Sequence, residues 1–408
     1  MSVCRLCGAS LREVFADLGM SPLANSYRKP EQLQTMEPFY PLRAYVCHQC
    51  FLVQLEQFET PESIFTEYAY FSSFSTSWLE HARCYAGLVR ERFGLGSASQ
   101  VVEIASNDGY LLQYFKERGV AVLGVEPART VAEAAIQKGI PTRNAFFNKD
   151  TATKLVNEGL SADLIVANNV LAHVPDLHHF IAGFAILLKP QGLITLEFPH
   201  LLELMRHVEF DTIYHEHFSY LSLLAVERLL AAHNLAVFDV ERLPTHGGSL
   251  RLYVKHAADG TKPTGETVAR LRKDEAEAHL DCLETYRAFS NAVKRVKLDL
   301  LEFLIGCART LKSVAGYGAP AKGNTLLNYC GIGPELLPYT VDRNPHKQGL
   351  YLPGTQIPVE HPDRIAERRP DFLLILPWNL KQEIAEQMAC IRGWGGRFVT
   401  PIPSVDIF

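Results

Sequence analysis

Four segments between residues 101 and 200 each contain an apolar run that is followed by polar residues. They are VVEIASNDGYLL (101–112), AVLGVEP (121–127), ADLIVANNVLAHVPD (162–176) and GLITLEFPH (192–200). The distance along the chain from Glu103 to Glu126 fits two adjacent parallel strands joined by one helix. We therefore predict a doubly wound α/β domain in which a ligand binds beyond the carboxyl ends of the strands.

The residues at these strand ends indicate a nucleoside-binding site. Glu126 ends the second strand, where a carboxylate can accept hydrogen bonds from both hydroxyls of a ribose. The first turn, from Glu103 to Gly109, holds a single glycine, whereas a dinucleotide site needs G-x-G-x-x-G. This turn resembles the first motif of class I S-adenosylmethionine methyltransferases, so we expect methyl transfer rather than hydride transfer. The expected cofactor-binding residues are Glu103, Asn107, Gly109, Glu126 and Asn168.

Four of the nine cysteines form two Cys-x-x-Cys pairs, Cys4 with Cys7 and Cys47 with Cys50. Four thiolates make a soft tetrahedral set that suits a structural zinc and leaves no coordination position open. A pair of disulfides would need an oxidising compartment, and a redox dithiol would need only one pair. We expect one structural zinc held by these four residues.

The composition argues against several classes of partner. The chain has 40 basic and 45 acidic residues, and its net charge of −5 gives no general attraction to nucleic acid or anionic membranes. The first residues, MSVCRLCGAS, lack the layout of a signal peptide, and no stretch approaches the ~18 apolar residues of a spanning helix. We expect a soluble, cytoplasmic protein of two or three domains without nucleic-acid or membrane partners.

The last third of the chain predicts a second α/β unit after a helical connector at 265–304. Strands are expected in residues 313–318, 337–342, 371–377 and 396–401, with a helix from about Thr325. Lys322 at the start of that helix would suit the diphosphate of a sugar nucleotide. The glycines at 316, 318 and 323, followed by Asp342, keep an NAD-dependent sugar-nucleotide oxidoreductase as the alternative. A binding protein with a degenerate methyltransferase core is a second alternative.

The segment YHEHFSY (214–220) supplies several proton-transfer groups at once. Methylating a carbon requires a carbanion-like nucleophile, which a base can generate beside a ketone. Histidine suits that base because its unperturbed pKa is about 6.5. A phenol or a second imidazole can donate to the developing oxyanion. A metal site containing His215 and His217 is an alternative that would require an extended strand and further ligands.

Several segments together resemble the sugar-nucleotide C-methyltransferases of deoxysugar biosynthesis, and the resemblance runs nearly end to end. The segments are the paired cysteines, YAYFSSFS (68–75), VVEIASNDGYLL, EFPHLLEL (197–204), FDTIYHEHFSYLS (210–222), THGGSLR (245–251) and GYGAPAKGNTLLNYCG (316–331). The resemblance implies an α/β protein with three domains. A zinc-binding domain is expected over 1–62, a class I methyltransferase Rossmann-like domain over 63–255, and a second Rossmann-like α/β domain over 256–408.

The resemblance also implies the roles of individual residues. His217 would be the general base, while Tyr214, Glu216 and His173 would line the keto-sugar site. His215 has no implied role and is expected to be structural.

The resemblance further implies S-adenosylmethionine and a structural zinc as cofactors. The substrate would be a nucleotide-linked, typically dTDP-linked, keto-deoxysugar, methylated at the carbon beside the ketone. Tyr68 would contact the methionine end of the cofactor, and Lys322 and Asn324 would contact the substrate. The turn before Arg251 could position the substrate or could be a hairpin turn alone.

Overall fold

Three β-sheets organise the residues that this computed structural model describes, which are 2–60, 72–74 and 76–408. The first sheet is antiparallel, with the order β1-β2-β3-β9. Its strands are β1 (Glu13–Ser21), β2 (Tyr40–Val46), β3 (Val53–Leu55) and β9 (Ser219–Tyr220). The fourth strand is the end of YHEHFSY, so the N-terminal cysteine-containing unit holds a segment from the middle of the chain.

The second sheet has seven strands in the order β10-β11-β8-β7-β4-β5-β6. They are β4 (Gln100–Ile104), β5 (Ala121–Val125), β6 (Thr142–Arg143), β7 (Ala162–Asn168), β8 (Leu188–Pro199), β10 (Leu235–Leu243) and β11 (Ser249–His256). The four predicted strands are parallel neighbours, as expected, and their central residues are almost wholly buried. β10 and β11 add an antiparallel edge that was not predicted.

Helices flank this sheet, and several of them begin at polar caps. Their bounds are Thr76–Phe93, Leu112–Lys116, Arg129–Gln137, Lys149–Asn157, Leu177–Leu187, Leu201–Arg206 and Leu223–Ala231. Side chains of Asn148, Asp176 and Ser222 accept from backbone N–H groups of the first turn of the helix that each precedes. These caps fix where the chain turns from a strand into a helix.

The third sheet is mostly parallel, with the order β14-β13-β12-β15-β16-β17. Its strands are β12 (Val314–Tyr317), β13 (Thr340–Val341), β14 (Val359–Glu360), β15 (Phe372–Ile375), β16 (Arg397–Thr400) and β17 (Asp406–Ile407). The helices of this part are Glu266–Glu277, Leu283–Arg309, Ala321–Cys330, Asp363–Arg368 and Lys381–Gln387. The second α/β unit predicted from sequence is confirmed.

Two details of this part differ from the prediction. The connector is two helices, because His279 takes a left-handed conformation (φ +54°) in the turn between them. The helix expected from about Thr325 begins at Ala321, directly after Pro320, whose fixed φ suits a helix start. Lys322 therefore lies in the first turn of that helix.

The first and third sheets share one hydrophobic core. Phe15 and Leu42 of the first sheet belong to the same buried cluster as Leu300, Leu326 and Val399 of the C-terminal part. Within the described ranges, every helix is too short or too polar to traverse a lipid bilayer.

Candidate active site

A cavity of about 910 Å³ lies at the carboxyl ends of the parallel strands of the second sheet. The C-terminal unit closes its far side through Pro320, Lys322 and Lys347. The predicted site residues that line it are Asn107, Glu126, Asn168, His173, Tyr214, Glu216, His217 and Lys322. Tyr68 lies outside the described residues.

Glu126 is held by the first turn. Its carboxylate accepts from the backbone N–H of Asn107 (2.9 Å) and from that of Ala128 (2.8 Å). Burial raises the pKa of Glu126, and these two donors oppose the rise. Asn107 and Ala105 take left-handed conformations (φ +49° and +54°), so non-glycine residues carry the sharp turn. Each carboxylate oxygen retains a lone pair for a further donor.

Glu103 and Gly109 do not line the cavity. Glu103 is 1% exposed, and burial, followed by the charges of Glu126 and Asp108, raises its pKa well above the ordinary value. Gly109 has φ +77°, and a Cβ there would lie 2.8 Å from Ile140. Glu103 is therefore buried and Gly109 packs against Ile140, and the expectation that they touch a ligand has no support in the geometry.

His217 is fixed in one neutral tautomer. Its Nδ1 lies 3.1 Å from the carbonyl oxygen of Thr212, and its Nε2 lies 3.0 Å from the hydroxyl of Tyr214. Because a carbonyl can only accept, Nδ1 carries the proton and the tyrosine hydroxyl donates to Nε2. Burial, and then the neighbouring His173, hold the pKa of His217 well below its usual range. The ring is therefore uncharged, Nε2 is its acceptor nitrogen, and the residue lines the cavity.

His173 is oriented in the same manner. Its Nδ1 donates to the carbonyl oxygen of Glu216 at 2.7 Å, and its ring packs edge-on against His217 with the ring centroids 4.7 Å apart. Burial lowers the pKa of His173 to about 4. The predicted pair of imidazoles is thus brought together from two distant segments of the chain.

These two histidines are expected to be neutral, with the proton on Nδ1, at pH values well below 6.5. Burial favours the uncharged ring, so neither should titrate near the value of a free imidazole. Nitrogen-15 NMR of histidine-labelled protein, with His173→Asn and His217→Asn for assignment, would measure this. Titration of either ring near pH 6.5, or a proton on Nε2, would contradict the tautomers inferred here.

Glu216 faces the cavity from the same segment and is almost fully buried. The side-chain amide nitrogen of Asn25 donates to both carboxylate oxygens, at 2.7 and 3.0 Å. Asn25 belongs to the loop between β1 and β2 and also lines the cavity. Sequence reasoning missed it, since a single asparagine in SPLANSY carries no motif.

His215 points away from the cavity, in agreement with the structural role expected for it. Its Nε2 donates to the carbonyl of Pro41 at 3.2 Å, and its ring packs edge-on against Tyr40 and Phe58. A metal site shared with His217 has no support in this arrangement.

Lys322 reaches the cavity from the C-terminal unit. Its ammonium donates to the side chain of Asn379 at 2.8 Å and lies 4.5 Å from the centroid of the Trp378 ring. Burial lowers the pKa of Lys322, and the nearby acids Asp211 and Glu209 oppose this. Lys347, which sequence reasoning missed, lines the same wall.

The other two predicted substrate contacts are directed elsewhere. Asn324 is 1% exposed, and its amide donates to the carbonyl of Ala24 at 2.6 Å. Arg251 forms ion pairs with Glu197 and Glu241, both at 2.9 Å. Neither residue lines the cavity, and each donates to a neighbouring structural element, so the expectation that they contact the substrate has no support in this geometry.

The four predicted cysteines form one cluster. Their sulfur atoms lie within 4.8 Å of one another, and the nearest pairs are 3.4 Å apart, too far for disulfides. The residue after each Cys-x-x-Cys pair takes a left-handed conformation: Gly8 has φ +75° and Phe51 has φ +60°. The side-chain amide of Gln54 donates to the sulfur of Cys4 at 3.1 Å. Four thiols gathered in this way fit a tetrahedral zinc.

Family comparisons match the three parts of the chain in order. Residues 4–65 match the model described as "Putative zinc binding domain", and residues 78–240 match "Methyltransferase domain". Residues 244–403 match "C-methyltransferase C-terminal domain".

Known proteins of similar sequence agree with these matches. C-methyltransferase NovU of Streptomyces niveus is 36% identical over 400 residues, which cover 98% of this chain and 95% of NovU. A ubiquinone biosynthesis O-methyltransferase of Bartonella tribocorum is 33% identical over 23% of this chain and 39% of its own length.

Among solved structures, the 1,6-didemethyltoxoflavin-N1-methyltransferase of Burkholderia thailandensis is 18% identical, covers 52% of this chain and 97% of its own, and has a TM-score of 0.37. A score that low adds nothing to the assignment, which depends on the domain matches and on the end-to-end similarity to NovU. The resemblance predicted from the sequence is confirmed: this chain belongs to the C-methyltransferase family, with S-adenosylmethionine as methyl donor and zinc as the metal of its N-terminal domain.

Proposed function

We propose that this C-methyltransferase acts on a nucleotide-linked keto-deoxysugar, dTDP-linked by family resemblance, and methylates the carbon beside the ketone through an enolate. The observation that supports the proposal is the neutral His217 imidazole, which lines the cavity beside Tyr214 and His173 with Nε2 as its acceptor nitrogen. Methylation of oxygen or nitrogen needs no carbanion. A buried base flanked by hydrogen-bonding groups is what proton removal from carbon requires.

The proton transfer follows from these contacts. The hydroxyl of Tyr214 gives up its hydrogen bond to Nε2, and His217 takes the proton from the substrate carbon. The electron pair of the broken C–H bond forms a carbon–carbon double bond, and the π pair of the carbonyl moves to its oxygen, which gives an enolate. Tyr214 can then donate to that oxygen. With S-adenosylmethionine bound, the enolate carbon would form a bond to the methyl carbon as the methyl–sulfur bond breaks, and the electron pair of that bond would stay on the sulfur of the leaving S-adenosylhomocysteine. The ketone re-forms, and the proton on His217 leaves to solvent.

Glu126, Asn107 and Asn168 would hold the methyl donor on the sheet side of the cavity. The side-chain oxygens of Asn168 and Asn169 are buried without a hydrogen-bond partner among the described residues, so each can accept from a bound ligand. S-adenosylmethionine supplies an electrophilic methyl group when bound. The polar groups present therefore fit a nucleoside with hydroxyl and amino donors.

Lys322 and Lys347 support a diphosphate on the opposite wall. Both lysines line a cavity of about 910 Å³, which is at the upper end of the ~300–1,000 Å³ range for small-molecule sites. The C-terminal glycines do not support the NAD alternative. Added Cβ atoms at Gly316, Gly318 and Gly323 would meet neighbouring side chains, so packing accounts for these glycines.

The test is incubation with S-adenosylmethionine and a panel of dTDP-linked keto-deoxysugars. We expect a product with a new carbon-bound methyl group by two-dimensional NMR. Without methyl donor, deuterium from solvent should enter the position beside the ketone. A methyl group found on oxygen, or no turnover and no exchange with any keto-sugar nucleotide, would overturn the proposal.

Glu126→Ala is expected to weaken S-adenosylmethionine binding by about 1.5–3 kcal/mol, the usual loss for a hydrogen bond to a charged group. Calorimetry would measure the affinity. The variant Glu126→Gln would show how much of the affinity depends on the negative charge that holds the turn. Glu133→Ala, at an exposed carboxylate of the next helix, is the matched control. Unchanged affinity in Glu126→Ala would place the ribose elsewhere.

A further inference from the structure

We infer that Asn25, carried by the loop between β1 and β2, is a positioning residue that fixes the carboxylate of Glu216 at the substrate. The inference rests on the proposed function, in which Glu216 lines the keto-sugar site. It extends that function by giving the zinc-binding part of the chain a direct share in the active site.

The contact itself is specific. One amide nitrogen of Asn25 lies 2.7 Å from one carboxylate oxygen of Glu216 and 3.0 Å from the other. Asn25 is exposed and lines the cavity, whereas Glu216 is only 6% exposed. Burial raises the pKa of Glu216, and the donors of Asn25 oppose that rise. Asn25 therefore stabilises the ionised carboxylate in one orientation.

The backbone of the same glutamate is also engaged. Its carbonyl oxygen accepts from Nδ1 of His173, which sets the tautomer of that ring. A shift of Glu216 would consequently disturb His173 as well as the carboxylate. Asn25 therefore acts on two groups of the proposed keto-sugar site through one contact.

The loop that carries Asn25 is anchored independently of YHEHFSY. The carbonyl of Ala24 accepts from Asn324 at 2.6 Å, and the backbone of Arg28 exchanges two hydrogen bonds with that of Tyr351, at 2.9 and 2.8 Å. The Tyr27 hydroxyl donates to the carbonyl of Ala319. Because the C-terminal unit holds the loop on both sides of Asn25, the amide is in place before any ligand arrives.

The test compares Asn25→Ala, Asn25→Asp and Ser26→Ala in the full-length protein. We expect Asn25→Ala to lower kcat with the keto-sugar nucleotide about tenfold, within the range for lost hydrogen bonds to charged groups. Affinity for S-adenosylmethionine and the melting temperature should not change. Asn25→Asp has the same shape but presents a second carboxylate, so its loss should be larger. Ser26 is exposed on the same loop, so its variant should behave as wild type.

A double-mutant cycle with Glu216→Gln separates positioning from a general structural effect. If Asn25 acts through Glu216, adding Asn25→Ala to Glu216→Gln should change kcat by less than about twofold. Additive losses, or Asn25→Asp milder than Asn25→Ala, would overturn the inference. Wild-type protein that neither methylates nor exchanges keto-sugar nucleotides would instead overturn the proposed function, and this inference with it.

Discussion

His217→Asn is expected to lower turnover by about 10²–10⁴-fold, the usual contribution of a positioned proton transfer, while both ligands still bind. An asparagine amide can still donate to the carbonyl of Thr212, so the fold of the segment should persist. It cannot take a proton from carbon. Solvent deuterium exchange in the absence of methyl donor should fall by the same factor, because exchange depends on the same proton transfer.

His215→Asn is the matched control from the same segment. Its ring packs against Tyr40 and Phe58 and does not line the cavity, so the variant should lose some stability and retain most of its turnover. Calorimetric titration of S-adenosylmethionine would show that binding persists in the His217 variant. Full activity in His217→Asn, or exchange that continues at the wild-type rate, would remove the base from the mechanism and leave the fold unaffected.

The parallel core was predictable because its signal is local. Buried parallel strands appear as short apolar runs, and the polar residues that follow them fall at the ligand edge. Glu126 and Asn168 were found in this way, and both line the cavity. The cysteine cluster was equally predictable, because each Cys-x-x-Cys pair lies within four consecutive residues.

The residues that were missed or misplaced depend on distant contacts. Asn25 and Glu216 are 191 residues apart in the sequence, and no local sequence pattern predicts their contact. Lys347 reaches the cavity from the turn after β13. Arg251 follows two glycines, which suggested a substrate turn, but its guanidinium is engaged by two glutamates of neighbouring strands. The residue type of Arg251 suggested a substrate contact, but its position in the sheet directs its side chain toward the two glutamates.

Removing the zinc is expected to lower both the stability and the turnover of the protein, with a loss of turnover comparable to that of His217→Asn. Structural zinc sites of this kind contribute about 10–16 kcal/mol in apparent binding free energy, and that energy is available only in the folded state. The ligand Cys47 is fully buried at the end of β2. We therefore expect Cys47→Ser, or prolonged chelation, to unfold the first sheet and lower the melting temperature sharply.

Unfolding of the first sheet should also disturb the active site, because the first Cys-x-x-Cys pair encloses a residue that contacts the YHEHFSY segment. Arg5, between the first two cysteines, donates to the carbonyl of Leu55 at 2.9 Å and to that of Phe218. Phe218 directly follows His217, and the next two residues pair with β3. Without the metal, β9, which begins two residues after His217, loses its pairing with β3. Turnover should therefore fall in step with the fraction of unfolded first sheet.

Elemental analysis, thermal unfolding and turnover, measured on the same samples, would test this coupling. Wild type should hold one zinc per chain, and Cys47→Ser should hold less, melt earlier and turn over slowly. Cys390→Ser, at an exposed cysteine outside the cluster, should match wild type in all three. Wild type without zinc would refute the metal site. A Cys47→Ser protein that kept its melting temperature but lost turnover would instead refute the expectation that the metal acts through the stability of the fold.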